Sequence, residues 1–365
     1  MLKYALRYSP LLILALILVP WRIYTAEHVQ QSPDLSNQKT SPFQPGSALF
    51  SVVMLSPNDV WAAGGSFNAL CDAQTKTRCA VAPSIGTILH YSNNTWAVAG
   101  NAAQPLLGIS LDSPGDGWAV GYSGTFVHYD GRTWSAIPGP PHFNQSVYGV
   151  AMLSPSNGWA VGNSGSILHY NGRQWTLVSS PVTFDLRAIA MPSSQEGWAV
   201  GVNGTILHYQ NGTWSLVHSP TRSTLNSIEM LSTTEGWAVG EQGTILHYRA
   251  EDGNWETVYR DPSIDQSANL HGVAMNSVRS GWITGEQHLL TYSSEVWTEA
   301  QLSIHASATN TQTSDKSISS LNIYAIALSQ SSEGWAVGSS DDSGLNTIII
   351  LHYQGGTWSV SLTMN

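Results

Sequence analysis

Charge is scarce in this chain. Lys, Arg, Asp and Glu together make up 10% of its 365 residues, against roughly 25% in ordinary soluble domains. The 14 Lys and Arg are outnumbered by 24 Asp and Glu, for a net charge of -10, and they never cluster. Without a basic stripe there is nothing to displace counterions from a phosphate backbone, so nucleic acid is excluded as a partner. Cysteine is scarcer still, at 2 residues; Cys71 and Cys79 are too few for a disulfide framework and supply only half of a zinc site, so no metal is expected. Such scarce charge beside abundant Gly and Trp also excludes a coiled coil or helical bundle. What is abundant is 33 Gly, 15 Trp and 42% apolar side chains, the balance of turn-rich β structure with a sizeable core.

The chain begins with Lys3 and Arg7, then an apolar run from Leu11 to Val19 between Pro10 and Pro20, then Trp21, Arg22 and Tyr24. The uncharged interval from Tyr8 to Trp21 spans ~21 Å as a helix, short of the ~30 Å hydrocarbon core unless Arg7 and Arg22 snorkel. Residues 1–26 therefore read as a signal peptide or an N-terminal membrane anchor. The junction after Ala26 has bulky Tyr24 where a small residue is wanted, so cleavage stays open. Either way the basic end stays inside, the chain beyond Ala26 is extracytoplasmic, and membrane contact is confined to this segment. In that oxidising setting Cys71 and Cys79 are expected to form a disulfide across a loop. Residues 27–48, polar and rich in Ser, Gln and Pro, form a linker.

Internal repetition dominates the rest. A first Trp, in a Trp-Ala-Val-Gly phrase or a variant, stands at 61, 118, 159, 198, 237, 282 and 335; a second comes after it at 96, 134, 175, 214, 255, 297 and 358. With Trp21 these account for all 15 tryptophans. The repeat is about 40 residues long, with insertions in some copies. In the fourth copy Leu186 to Met191, Gly197 to Gly201, Thr205 to Tyr209 and Thr213 to Val217 read as four strands, with Asn211-Gly212 supplying the last hairpin turn. A four-stranded unit cannot bury both faces of its sheet alone, whereas seven arranged radially can. The expected fold is an all-β, seven-bladed β-propeller over residues 49–361, with units near 49–99, 106–137, 147–178, 186–217, 225–258, 270–298 and 322–361. A complete fourth strand in the last unit predicts closure without strand exchange.

The phrases Glu235-Gly236-Trp237-Ala238-Val239 and Gly240-Glu241-Gln242-Gly243-Thr244-Ile245-Leu246-His247-Tyr248 resemble the repeat of BNR-type propellers, most closely the photosystem II stability/assembly factor-like group. The likeness covers roughly residues 49–361. The Asp-box-like turn of that group, Asp-Gly-Gly-x-Thr-Trp, is shorter here by one Gly, as in Asp130-Gly131-Arg132-Thr133-Trp134. The resemblance implies an extracytoplasmic or lumenal protein that binds other proteins; the phrase itself is structural and marks no site.

Candidate chemistry is sparse. His90, His128, His169, His208, His247 and His352 share one place in the third strand, with Thr291 there in the sixth unit. Ligands must converge, and a ring disperses them, so these imidazoles read as hydrogen-bonded within their own blades. Glu196, Glu235 and Glu333 recur before the first Trp and read as turn formers. Glu241, Glu286 and Glu229 are the nearest approach to the paired carboxylates of a glycosidase. No nucleophile elbow, phosphate loop or zinc motif is present, and no cofactor is implied.

The second position of the innermost strand varies freely: Phe50, Leu107, Tyr148, Arg187, Asn226, His271, Tyr324. If pleat alternation points it at the channel mouth, Tyr148, Arg187, Asn226, His271 and Tyr324 form a mixed polar pocket, with Glu241 and Glu286 in nearby loops. The insertions (65–85, 138–146, 259–269, 299–321, 339–346) all belong to one face, where binding on a rigid scaffold resides. The expectation is a non-enzymatic scaffold engaging a partner protein through that face. The alternative is a carbohydrate-active protein, lectin-like or a glycoside hydrolase, binding a glycan there; a purely structural surface protein is the third.

Overall fold

The computed structural model describes residues 47–66, 70–71, 79–80, 85–258, 264–265, 267–300, 321–329, 333–340 and 347–364. The expected export segment, most of the linker, and much of the insertions at 65–85, 299–321 and 339–346 lie outside the described residues. Among the described residues no helix is long and apolar enough to cross a membrane.

Seven antiparallel sheets of four strands are formed, each from strands consecutive along the chain, apart from one two-stranded ribbon in which Leu70–Cys71 pairs with Cys79–Ala80. In the fourth sheet the order is Leu186–Ala190, Glu196–Gly201, Ile206–Gln210, Thr213–Leu216. The first strands of all seven sheets touch their neighbours in a closed circuit, Ser47–Ser56 meeting both Leu106–Ser113 and Leu321–Leu328. The molecule is a seven-bladed β-propeller with the first strand of every blade innermost. The first and last blades each hold four strands of their own, so the ring closes by packing of complete blades, without exchange.

Two aromatics per repeat build the seams. Trp237 of the fifth blade meets Trp297 edge-on at 5.5 Å and Tyr292 at 5.0 Å, both in the sixth. The same contacts join Trp61 to Trp134 and Tyr129, and Trp335 to Trp96 and Tyr91 where the ring closes. Such pairs contribute about 0.5–1.5 kcal/mol each beyond their buried area. Aliphatic side chains fill in behind them: at closure Val337, Ile348 and Ile350 pack on Leu49, Val60, Ala62 and Leu89.

The other face of the first Trp lies against the recurrent His. Trp237 stacks on His247 at 4.0 Å and Trp198 on His208 at 3.9 Å. The imidazole Nε2 is in turn bonded to the residue two places before the Trp: Asp59 with His90, Asp116 with His128, Asn157 with His169, Glu196 with His208 and Glu235 with His247. The reading of Glu196 and Glu235 as turn formers is thus corrected, since their side chains hold the imidazole. Glu333 differs: its carboxylate accepts from Gln354, and its main chain exchanges hydrogen bonds with Ser329. In the sixth blade Ser280 and Thr291 replace acid and His together, as expected of positions serving one bond.

Candidate functional site

Each innermost strand carries a register irregularity near its start, between Leu49 and Ser51, Leu106 and Gly108, Val147 and Gly149, Leu186 and Ala188, Leu225 and Ser227, Leu270 and Gly272, and Ile323 and Ala325. The skipped residue is in every case the variable second position. A bulge leaves its extra residue outside the ladder and re-aims its side chain. Simple pleat alternation, the sequence argument for this row, is therefore not the cause of its direction. Next to each bulge stands the Gly that ends Trp-Ala-Val-Gly. A Cβ on Gly121 or Gly240 would collide with the carbonyl oxygen of Pro105 or Thr224, so steric approach, with extended backbone, requires glycine there.

The seven bulged side chains line one end of the central channel, a cavity of about 420 Å³. Because Leu106 pairs with Gly121 and Leu225 with Gly240, this end is also where the second strand leaves for the third and where each blade is entered from the previous one. The insertions spring from the same end.

Tyr148, Arg187, Asn226, His271 and Tyr324 are all half-buried here. The Arg187 guanidinium sits 4.6 Å from the Tyr148 ring centre and 3.7 Å from Asp185. Burial raises the Tyr148 hydroxyl above its ordinary range, opposed by that guanidinium. The Asn226 amide donates to the Leu270 carbonyl at 2.8 Å and to Asn269 at 3.2 Å, stitching the fifth blade to the sixth. His271 lies 3.6 Å from Glu286 and 5.2 Å, ring to ring, from Tyr324, which is 5.3 Å from Phe50. Burial lowers the His271 imidazole below its usual value; Glu286 and then Glu241 pull the other way. Both glutamates are exposed. Glu286 also accepts from the Asn269 amide at 3.1 Å.

Below the mouth the cavity is lined by the small residues Ser51, Gly108, Gly149, Ala188, Ser227, Gly272 and Ala325, by the aliphatic row Val52, Ile109, Val150, Ile189, Ile228, Val273 and Ile326, and, deeper, by Val53, Glu229, Ala274 and Ala327. Glu229 is the one acid among the residues that line it. Its Oε2 accepts the Met275 N–H at 2.6 Å from the next blade, and burial pushes its carboxyl up to about 8, with that N–H pulling down. The signal was visible in the sequence as one acid in a column of small residues.

On the same face, exposed Phe184 and Leu216 flank a second hollow of about 490 Å³ with Val182 and Arg222. Cys71 and Cys79 stand opposite each other in the two-stranded ribbon. Among the described residues no group of three or more His, Cys, Asp or Glu is arranged to hold a metal ion.

The fold and this mouth define a repeat-built propeller with an asymmetric face. Residues 171–263, spanning the whole fourth and fifth blades, match the family model of the photosynthesis system II assembly factor YCF48, so the resemblance drawn from the repeat holds. Similar solved structures include YCF48 bound to D1 peptide, at 17% identity over 85% of this chain and 93% of that one, TM-score 0.58. YCF48 from Cyanidioschyzon merolae is 15% identical over 86% and 98%, TM-score 0.59. The WD40 β-propeller domain of Doa1 aligns with a TM-score of 0.59 at 10% identity, over 86% of this chain and 94% of that one. At these identities the structural likeness speaks for the fold. No curated protein matches.

Proposed function

We propose that this protein is a non-enzymatic assembly scaffold, exported or tethered outside the plasma membrane by residues 1–26, that engages a partner protein through the insertion-bearing face. The observation that carries it is the row of bulges: seven side chains of different chemistry are released from the ladder at one mouth, on the face from which the insertions spring. A packing role would have kept them alike. The solved YCF48 carrying a D1 peptide and the family match support a partner-binding propeller, as does the exposed apolar pair Phe184 and Leu216. A glycoside hydrolase is disfavoured, because among the described residues Glu229 is the one carboxylate lining the channel and a glycosidase needs two. In this reading Cys71 and Cys79 form a disulfide that staples the insertion at 65–85.

The test is a crosslinking capture from native membranes with the intact protein, beside a variant in which residues 66–84 and 299–321 are cut to three-residue loops. A partner held by the intact form and lost from the folded variant supports the scaffold. Equal capture by both, or none, defeats the insertion-face assignment, and a glycan array with Glu241→Gln and Glu286→Gln then tests the carbohydrate alternative.

A further inference from the structure

Glu229 is larger and more acidic than its local bond requires. In the second blade Ser110 occupies the equivalent place and bonds the Met152 N–H at 3.0 Å, just as Glu229 bonds that of Met275. A hydroxyl therefore suffices for the stitch between blades, and in the other blades Val53, Ala151, Ala190, Ala274 and Ala327 do without it. The carboxyl lines the channel cavity, among small residues such as Ala188, Ser227 and Ala274 and aliphatic ones such as Ile228 and Val273. Among the described residues the Met275 N–H is the one hydrogen-bond partner of its carboxyl, which leaves the other oxygen free to meet a ligand in the cavity it lines.

The route to it has a matching character. The mouth above the fifth, sixth and seventh blades presents Glu241 and Glu286, the half-buried His271, and the ring faces of Tyr324 and Phe50. On the opposite side of the mouth the cation Arg187 lies over the Tyr148 ring and beside Asp185, which disfavours a second cation there. Carboxylates beside aromatic faces favour an organic cation. The mouth row precedes Glu229 by three residues, roughly 10 Å along a strand, a depth that the four-carbon stem of a Lys reaches when its own backbone settles into the mouth.

We propose that the central channel is a pocket for a lysine side chain of an extended partner segment, entering past Glu241, Glu286 and Tyr324 and ending on Glu229. This rests on the partner-binding reading and names the chemistry the partner presents. It also couples binding to protons. The titratable groups on the strands packed against Glu229 are Arg187 and His271 on the neighbouring inner strands, Glu235 on its own blade and Glu196 on the fourth; at the mouth stand Tyr148 and Tyr324. None of them offsets the burial that keeps the empty site protonated near neutrality. An arriving ammonium displaces that proton, so affinity rises with pH toward the carboxyl's own range.

The experiment is titration calorimetry of the intact protein with two flexible Gly/Ser nonapeptides, one with a central Lys and one with the neutral isostere norleucine, at pH 6.5 and 8.5. The expected result is binding of the Lys peptide at least tenfold tighter than its counterpart and tighter at the higher pH, with proton release read from two buffers. Glu229→Gln keeps an acceptor for Met275, remains folded by thermal melt, and loses the discrimination; Glu241→Gln/Glu286→Gln weakens it several-fold. Equal binding of both peptides, or discrimination unchanged in Glu229→Gln, overturns the proposal. So does cadaverine binding more tightly than the peptide, which would make the ligand a small free amine. The partner capture above fails or succeeds independently: a captured partner with no peptide discrimination sinks the pocket alone, and the reverse result sinks the insertion-face assignment alone.

Discussion

The seams between blades and the channel mouth obey opposite rules. At the seams the same trio recurs around the ring, a first Trp with the Tyr and second Trp of the next blade, backed in the first five blades by the Trp's own His and its acid or Asn partner. At the mouth no such pattern exists, and Phe, Leu, Tyr, Arg, Asn and His occupy equivalent places. The difference is mechanical. A seam residue is clamped between two sheets and must fill the same volume each time, whereas a bulged residue has left the ladder and faces a channel. Packing enforces repetition, and release from packing permits specialisation.

That contrast is broken most severely at the seams. Trp237→Ala, fully buried between two blades, should cost about 3–5 kcal/mol in a denaturant titration. Gly240→Ala, which drives a methyl into the Thr224 carbonyl beside the bulge, should cost about 1–3 kcal/mol, and its harm should exceed that of Gly115→Ala, where the added methyl meets nothing nearer than 4.0 Å. The Glu229 carboxyl ranks next. Its folded pKa of about 8 is above the ordinary 4.5, so the native state holds a proton that the unfolded chain releases between those values. Stability is therefore whole at low pH and declines as pH rises from about 4.5 to 8, by roughly 1–2 kcal/mol once channel water screens the charge. Glu229→Gln should flatten that slope in melts taken across the interval.

Smaller still is the coupling in the imidazole bond. Replacing His247 by Thr and Glu235 by Ser reproduces the sixth-blade pair; the double variant should lose about 0.5–1 kcal/mol less than the sum of the singles. Least of all, Tyr148→Ala and Arg187→Ala together should move stability by about 0.5 kcal/mol each while changing partner capture. A large stability loss there would show that the mouth is packed like a seam, and the comparison would collapse.

Much of the architecture could be read in advance, for a physical reason visible in single residues. The Asn-Gly before Trp214 and the Gly after Val239 are local turn and contact signals, and in a propeller each blade is a contiguous piece of chain, so local signals add up to a fold. Strands in the fourth blade fell within a residue of where the pattern put them. The site was less legible. Its row was recognisable by variation alone, but Glu196 and Glu235 looked like turn residues because their imidazole partners lie twelve positions away, across a hairpin.

The repeat, the number of blades, the closure without exchange and the candidate row are determined by the amino-acid sequence itself, because forty-residue periodicity and strand alternation are properties of short windows. Three things belong to the tertiary structure. The bulges exist because each inner strand must bend away from its ladder at the channel mouth. The direction of each seam, one blade's Trp always on the next blade's Tyr, exists because the ring closes in one sense. The state of Glu229 depends on six other blades surrounding a carboxyl that its own blade would leave in water.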